Sequence, residues 1–266
     1  MIVANNVSVS LGRKLILDGV HFEARPGTLC AIVGPNGSGK TTLMRALSGD
    51  VAYRGRITIA GRDIEALKPW EAAAMRAVLP QHAALAFPFT VHEVVKLGLT
   101  GGRSGVSAAE QRNLPDRALA RVDLEGFAGR FYQELSGGEQ QRVQLARVLC
   151  QIWEPVLEGA PRYLLLDEPV SSLDIKHQII IMDIARAFAQ QGGGVIAILH
   201  DLNLTAMYAD NVIVMNGGVV AASGSPSEVL TDTLMKRVFE CPLRVGALPA
   251  RGGPFVLPQS ISGPPA

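Results

Sequence analysis

Leu29-Cys-Ala-Ile-Val33, running directly into Gly34-Pro35-Asn36-Gly37-Ser38-Gly39-Lys40-Thr41-Thr42, is the stretch that decides the fold. Five apolar residues ending at a glycine describe a strand buried on both faces. Residues 34–41 fit G-x-x-x-x-G-K-[ST]. The following Thr-Leu-Met-Arg-Ala-Leu-Ser reads as a helix closed by Gly49. These residue types serve one task. A polyphosphate has to approach the backbone closely, and side chains would block it, so glycines are used. The loop amides and the helix N-terminus face the anion. Lys40 brings positive charge to the outer phosphates, and Thr41 offers a hydroxyl ligand to Mg²⁺.

A second buried strand, Tyr163-Leu-Leu-Leu-Asp167, ends in two acids, Asp167 and Glu168, before Pro169. Ligands of parallel α/β sheets bind outside such carboxyl ends. Asp167 suits Mg²⁺, directly or through water, and Glu168 suits the water that attacks the γ-phosphate. On an extended segment, neighbouring side chains point opposite ways, so one acid faces the metal and the next the water. The plain alternative is that both acids cap a following helix.

Further strands are expected in the first 33 residues, in the hairpin-like GRITIAGRDI, at AVL before Pro80, and at VIAIL, VIVMN and VVAAS, the last two joined by an NGG turn. Between about 83 and 157 the pattern turns helical. Thr90 is placed to cap one helix, and Ser107 with Glu110 has capping-box spacing ahead of a second. Pro115 interrupts or restarts that second helix. A third covers 138–152, with Val143, Ala146, Leu149 and Ile152 on one face. Residues 241–266 hold six prolines and four glycines, an irregular arm with one strand expected at FVLP.

Composition narrows the function. The chain has 266 residues, 48% of them hydrophobic, and a formal net charge of +1. No basic block or basic–aromatic stripe occurs, so nucleic acid is not an expected partner. Cys30, Cys150 and Cys241 are scattered, with no metal-ligand or disulfide spacing. No run approaches the roughly 20 apolar residues of a membrane span, and the start lacks signal-peptide regions. The charged share is 18%, against about 25% on average, consistent with a surface covered by a partner or with a large core.

Phosphate loops serve kinases, GTPases and many ATPases. Leu135-Ser136-Gly137-Gly138-Glu139-Gln140 separates them. It is a polar, glycine-bearing helix start, able to present a hydroxyl and amides to a phosphate. Alone it would also suit a simple capped helix. The chain already has a phosphate site at 34–42, so a second makes sense when it closes over another copy.

With LSGGEQ, GPNGSGKTT and LLLDEP in this order, residues 2–240 resemble an ABC-transporter nucleotide-binding domain. The resemblance implies an α/β fold: a P-loop NTPase core of the ABC ATPase kind, with a β-rich N-terminal subdomain and an inserted α-helical subdomain. It divides the chain into a nucleotide-binding domain at 1–240, with its core at 1–82 and 158–240 and its helical part at about 83–157, and a C-terminal arm at 241–266. It implies ATP at Gly34, Pro35, Asn36, Gly37, Ser38, Gly39, Lys40, Thr41 and Thr42. Catalysis falls to Glu168, with Gln81 as the Q-loop residue and His200 as the switch histidine. Mg²⁺ is held by Thr41, Gln81 and Asp167. The signature Ser136, Gly137, Gly138 and Glu139 meets the partner copy's ATP, and Ser171-Ser172-Leu173-Asp174 resembles the D-loop across the dimer interface; an N-cap serine with a helix-start aspartate is its plain reading. One position departs from the family: Leu11 stands where an aromatic residue often stacks on adenine.

The family implies a head-to-tail dimer and rigid-body coupling to two copies of a separate permease, and hence a peripheral place on the cytoplasmic face of a bacterial inner membrane. Leu79-Pro-Gln-His82 through Phe87-Pro-Phe-Thr-Val-His-Glu-Val95, Arg162–Pro169 with Asp174-Ile-Lys-His-Gln178, and the long spacer Trp153–Pro161 are similar to the haem and iron-chelate importer group, most of all to haem importer ATPases. A periplasmic haem-binding protein is then an indirect partner. Ferric-siderophore or vitamin B12 import is the alternative, followed by a soluble ABC ATPase. Leu85, Phe87 and Phe89 suggest either a permease docking patch or insert core. His82, His92 and His177 form no convincing haem-ligand set.

Overall fold

A computed structural model describes residues 1–81, 85, 87–101, 103–248 and 253–261. His82 and the expected core–insert boundary at 82/83 lie outside the described residues. The amino-terminal third forms β1 (Ile2–Leu11), β2 (Lys14–Ala24), β3 (Leu29–Val33), α1 (Lys40–Ser48), β4 (Arg54–Ile59), β5 (Arg62–Asp63), α2 (Pro69–Met75) and β6 (Arg76–Leu79). The helical stretch follows as α3 (Val91–Lys96), α4 (Gly98–Gly101), α5 (Ala108–Gln111), α6 (Leu114–Arg121) and α7 (Gly137–Gln151). The rest comprises β7 (Val156–Leu157), β8 (Ala160–Pro161), β9 (Tyr163–Asp167), α8 (Ile175–Gln190), β10 (Gly194–Ile198), α9 (Leu202–Tyr208), β11 (Asn211–Asn216), β12 (Val219–Gly224), α10 (Pro226–Val229) and α11 (Asp232–Val238).

Two sheets organise these elements. β2-β1-β4-β5 is antiparallel. The larger sheet runs β12-β11-β3-β10-β9-β6, parallel except for the β12 edge. Every residue of β3, β9 and β10 is buried, as expected of strands covered on both faces. Side chains alternate across that sheet and divide the core in two. Cys30, Ile32, Leu165, Ile196 and Ile198 face α1 and the antiparallel sheet. Leu29, Ala31, Val33, Leu164 and Leu166 face the helical side. Val143, Ala146, Leu149 and Ile152 are all buried there; Ile152 is the residue that ends α7.

Three details differ from the sequence expectations. Residues 175–190 carry no expected element and form the helix α8. Asp174 caps the N-terminus of α8, accepting from the His177 amide at 2.9 Å. Ile181, Ile184, Ala185 and Phe188 then form a buried stripe at helical spacing. FVLP does not form a strand. It is extended without ladder partners and passes into a short 3-10 turn at Pro258–Ser260. The spacer at 153–161 carries a small hairpin, β7–β8. Among the described residues no helix is long and apolar enough to cross a membrane.

Candidate functional site

Sheet order assembles the site. Four adjacent strands, β3, β10, β9 and β6, end at the same edge, with Ile32 beside Ile198, Ile198 beside Asp167 and Leu79 beside Leu166. The residues that follow them are the phosphate loop, His200, Glu168 and Gln81. Residues scattered over more than a hundred positions are thereby delivered to one rim, outside the carboxyl ends of parallel strands.

The loop's glycines are fixed as much by the protein as by a ligand. Gly34 adopts φ 147°, and a β-carbon there would collide with the Met215 carbonyl oxygen. Gly39 adopts φ 99°, and a β-carbon would lie 2.7 Å from Leu17 Cδ2. Both lie in the region that favours glycine. The backbone of Ser38 accepts from the Gly218 amide at 3.1 Å. Lys40 folds back over its own loop, donating from Nζ to the carbonyls of Gly34 at 2.8 Å and Pro35 at 3.0 Å. Burial holds its ammonium below the ordinary lysine range, opposed by the charges of Glu168 and Asp167. The result is a cation pre-placed among dipoles and short of a full counter-charge, suited to an incoming phosphate. Thr41 and Thr42 lie in the first turn of α1.

Thr41 Oγ1 approaches Asp167 Oδ1 at 3.4 Å. Burial, then the neighbouring Glu168 carboxylate, pushes the Asp167 carboxyl above its usual range. A hydroxyl and a carboxylate of this kind are hard oxygen donors. Mg²⁺ is commonly held by one or two such groups plus substrate phosphates, so the donor set fits it.

Glu168 corrects one sequence expectation. It does not continue an extended strand, because β9 stops at Asp167 and Glu168 takes φ 54°. A non-glycine residue in that conformation is unusual. Nor do the two acids cap a helix, since α8 begins seven residues after Glu168. The turn re-aims the carboxylate, which is held from two sides. Oε2 accepts from Gln81 Nε2 at 2.9 Å, and Oε1 lies 2.7 Å from His200 Nε2. Its backbone carbonyl is fixed by Gln141 Nε2 at 2.8 Å and Ser171 Oγ at 3.2 Å. Gln141 was missed from the sequence. The available signal was its place one residue past LSGGEQ, on the turn of α7 facing the strand ends.

Ser136, Gly137, Gly138 and Glu139 lie elsewhere. Ser136 caps α7, accepting from the Glu139 amide at 3.3 Å, while Glu139 Oε2 accepts from the Ser136 amide at 2.7 Å. Gly138 packs against the Ser172 carbonyl and Leu173. Among the described residues no hydrogen bond or ion pair joins residues 136–139 to the phosphate loop. At 171–174 the capping residue is Asp174 and not a serine. Leu11, at the β1–β2 hairpin end, is 45% exposed. His92 lies 3.7 Å from Asp116, and His177 pairs with Asp174 at 2.7 Å and Asp123 at 3.3 Å.

Comparison with known proteins places the chain in a family. The ABC transporter family model matches residues 17–171. The hemin import ATP-binding protein HmuV of Mesorhizobium japonicum is 68% identical, the match covering 98% of this chain and 99% of that one. Its counterpart in Rhizobium meliloti is 58% identical over 98% of this chain and 100% of that one. Among solved structures, a dimeric bacterial ABC transporter cassette superposes with a TM-score of 0.73 at 27% identity, covering 85% of this chain and 99% of the other.

Proposed function

Because the chain belongs to the ABC transporter family of ATP-binding subunits, we propose that it is the ATP-hydrolysing motor of a haem importer. It pairs with a second copy and drives two permease subunits from the cytoplasmic face of the inner membrane. A periplasmic haem-binding protein delivers the cargo. The observation that supports the motor is the doubly held Glu168 carboxylate beside the phosphate loop. The cargo rests on likeness over the whole length to proteins named for hemin import.

In this reading, Lys40 exchanges the Gly34 and Pro35 carbonyls for the outer phosphate oxygens. Thr41, Asp167 and Gln81 would hold Mg²⁺, which when bound would neutralise phosphate charge. Glu168, oriented by Gln81 and His200, accepts a proton from the attacking water. The water oxygen bonds to the γ-phosphorus, and the bond to the β-phosphate oxygen breaks. The charge developing on the transferred group is met by Lys40, by the loop amides and, across the dimer, by Ser136 and the amides of Gly137 and Gly138 of the second copy. ATP touches both copies, so it favours the closed pair by its differential affinity, and hydrolysis removes that preference. The motion reaches the permease as a rigid-body change.

The test is reconstitution with the partner permease in lipid, measuring ATP turnover against the binding protein loaded with haem, ferric siderophore or vitamin B12. Stimulation greatest with haem is expected. Equal or greater stimulation by another cargo would overturn the haem assignment, and absence of any turnover would overturn the motor.

A further inference from the structure

The arm at 253–261 returns across the molecule to the helices that leave the catalytic rim. Its 3-10 turn packs on α9, which begins two residues after His200. Gln259 Nε2 donates to the Asn203 carbonyl at 2.9 Å. On its other side the arm borders α8, which begins immediately after Asp174. There Ile175, Ile179, Val256, Leu257 and Ile261 line an open cleft of about 210 Å³. Docking therefore leaves apolar surface uncovered: Val256 is 78% exposed, Ile175 58%, and Phe255 and Ile261 52% each. The arm from 253 to 261 carries no charged residue at all. Burying it would desolvate no charge, the composition favoured at the centre of an interface. An exposed isoleucine as the first residue of a helix, where acidic side chains are favoured, points the same way.

We propose that this arm, with the first turn of α8, is a second contact between two copies of the chain, beside the nucleotide-bridged one. The proposal rests on the paired reading above, in which Asp174 and its neighbours cross the interface. The apolar patch starts at the very next residue, so it is continuous with that crossing. A two-fold pair brings a patch near its axis against the same patch of its twin. The residues that line the cleft are uncharged and mostly apolar, and such a surface is complementary to itself, which a charged one is not. The occupant is therefore a second copy and not a membrane or a foreign peptide. The consequence is functional: the arm holds the pair together through a contact that does not depend on the phosphate chain, so reopening after hydrolysis need not separate the copies.

The experiment uses the full chain carrying Glu168→Gln, with ATP, followed by sedimentation equilibrium. Val256→Asp and Phe255→Asp are added singly; both positions are largely exposed, so folding is preserved and is checked by thermal melting. The expected result is a dimer dissociation constant raised at least tenfold by each, with ATP affinity unchanged at dilutions where the chain is monomeric. Unchanged dimerisation in both variants would overturn the arm contact while leaving the nucleotide-bridged pair standing. If the Glu168→Gln parent itself stays monomeric with ATP, the paired reading falls and this proposal falls with it.

Discussion

At the scale of single residues, Glu168 carries a local backbone cost at the centre of the site. A side-chain-bearing residue at φ 54° costs on the order of 1–3 kcal/mol and persists only where its surroundings impose it. Here Gln81, His200, Gln141 and Ser171 impose it through four contacts. The turn aims the carboxylate outward, between Gln81 and His200. Glu168→Gln preserves shape and removes the base, its single amide oxygen replacing one of the two carboxylate oxygens that face Gln81 and His200. Steady-state ATP turnover should fall by about 10²–10⁴, with nucleotide affinity, read by equilibrium titration, little changed. Turnover near that of the parent would remove Glu168 from the proposed role. Asp167 makes a separate prediction about stability. Burial raises its pKa in the folded chain, so the folded state binds its proton more tightly than the unfolded state does. Its effect on stability is most favourable below the ordinary carboxylate range. That contribution is lost as pH rises through the window up to the raised folded value, and stays lost at neutral pH. Asp167→Asn should therefore raise the Tm of the nucleotide-free protein at pH 7–8 by about 1–3 °C, with the gain shrinking as pH falls towards the ordinary carboxylate range. A gain independent of pH, measured by calorimetry, would show that ionisation is not its source.

At the scale of elements, the site is a property of strand order. The sequence shows that β3, β9 and β10 are buried strands, because each is an unbroken apolar run. It does not show that β10 lies between the other two, because order depends on crossovers whose partners are far apart in the chain. The individual functional residues could therefore be picked out, while their convergence could not. α8 was illegible for another reason. Its isoleucine run favours strand by local propensity, and tertiary packing of one helical stripe overrides that preference. Gln141 escaped notice because a glutamine on an amphipathic helix looks like solvated surface until the neighbouring strand end is in place. The start of α7 was legible as a capped helix and as a phosphate-facing turn, and both can hold together. Ser136 accepts the Glu139 amide through its oxygen, leaving its hydroxyl hydrogen free to donate. The two tasks can be separated. Aspartate caps helices as well as serine does, but it would set a negative charge against the phosphate of a partner's nucleotide. Ser136→Asp should keep the Tm within about 2 °C while ATP turnover drops at least tenfold. In mixed pairs with one altered chain, the loss should appear at the phosphate loop of the unaltered copy. Loss confined to the altered chain's own loop would refute completion of the site in trans.

At the scale of the whole molecule, the question is which surface receives the permease. The sequence offers Leu85, Phe87 and Phe89, with docking patch and insert core as competing readings. The structure divides them. Leu85 and Phe89 pack against the main core, whereas Phe87 is 68% exposed and meets Phe89 edge to face at 6.4 Å. Phe87 also follows the Gln81 segment closely in the chain, and its carbonyl accepts from Gln133 Nε2 at 2.5 Å and from the Phe89 amide at 2.9 Å. Gln133 lies three residues before Ser136. A force applied at Phe87 would thus reach the signature turn through Gln133, which is a connection that a coupling surface requires. Phe87→Asp should leave melting temperature and nucleotide binding of the isolated chain essentially unchanged, because the side chain is already in water. It should abolish co-purification with the permease from detergent-solubilised membranes, since burying an unpaired carboxylate in an apolar contact costs several kcal/mol. Phe89→Asp is the contrasting case. It introduces a charge into a partly buried position packed against the core and should lower stability by about 2–4 kcal/mol, with assembly lost only as folding is lost. If Phe87→Asp co-purifies as well as the parent chain, the docking surface lies elsewhere and Phe87 is merely the exposed edge of the core that Phe89 completes.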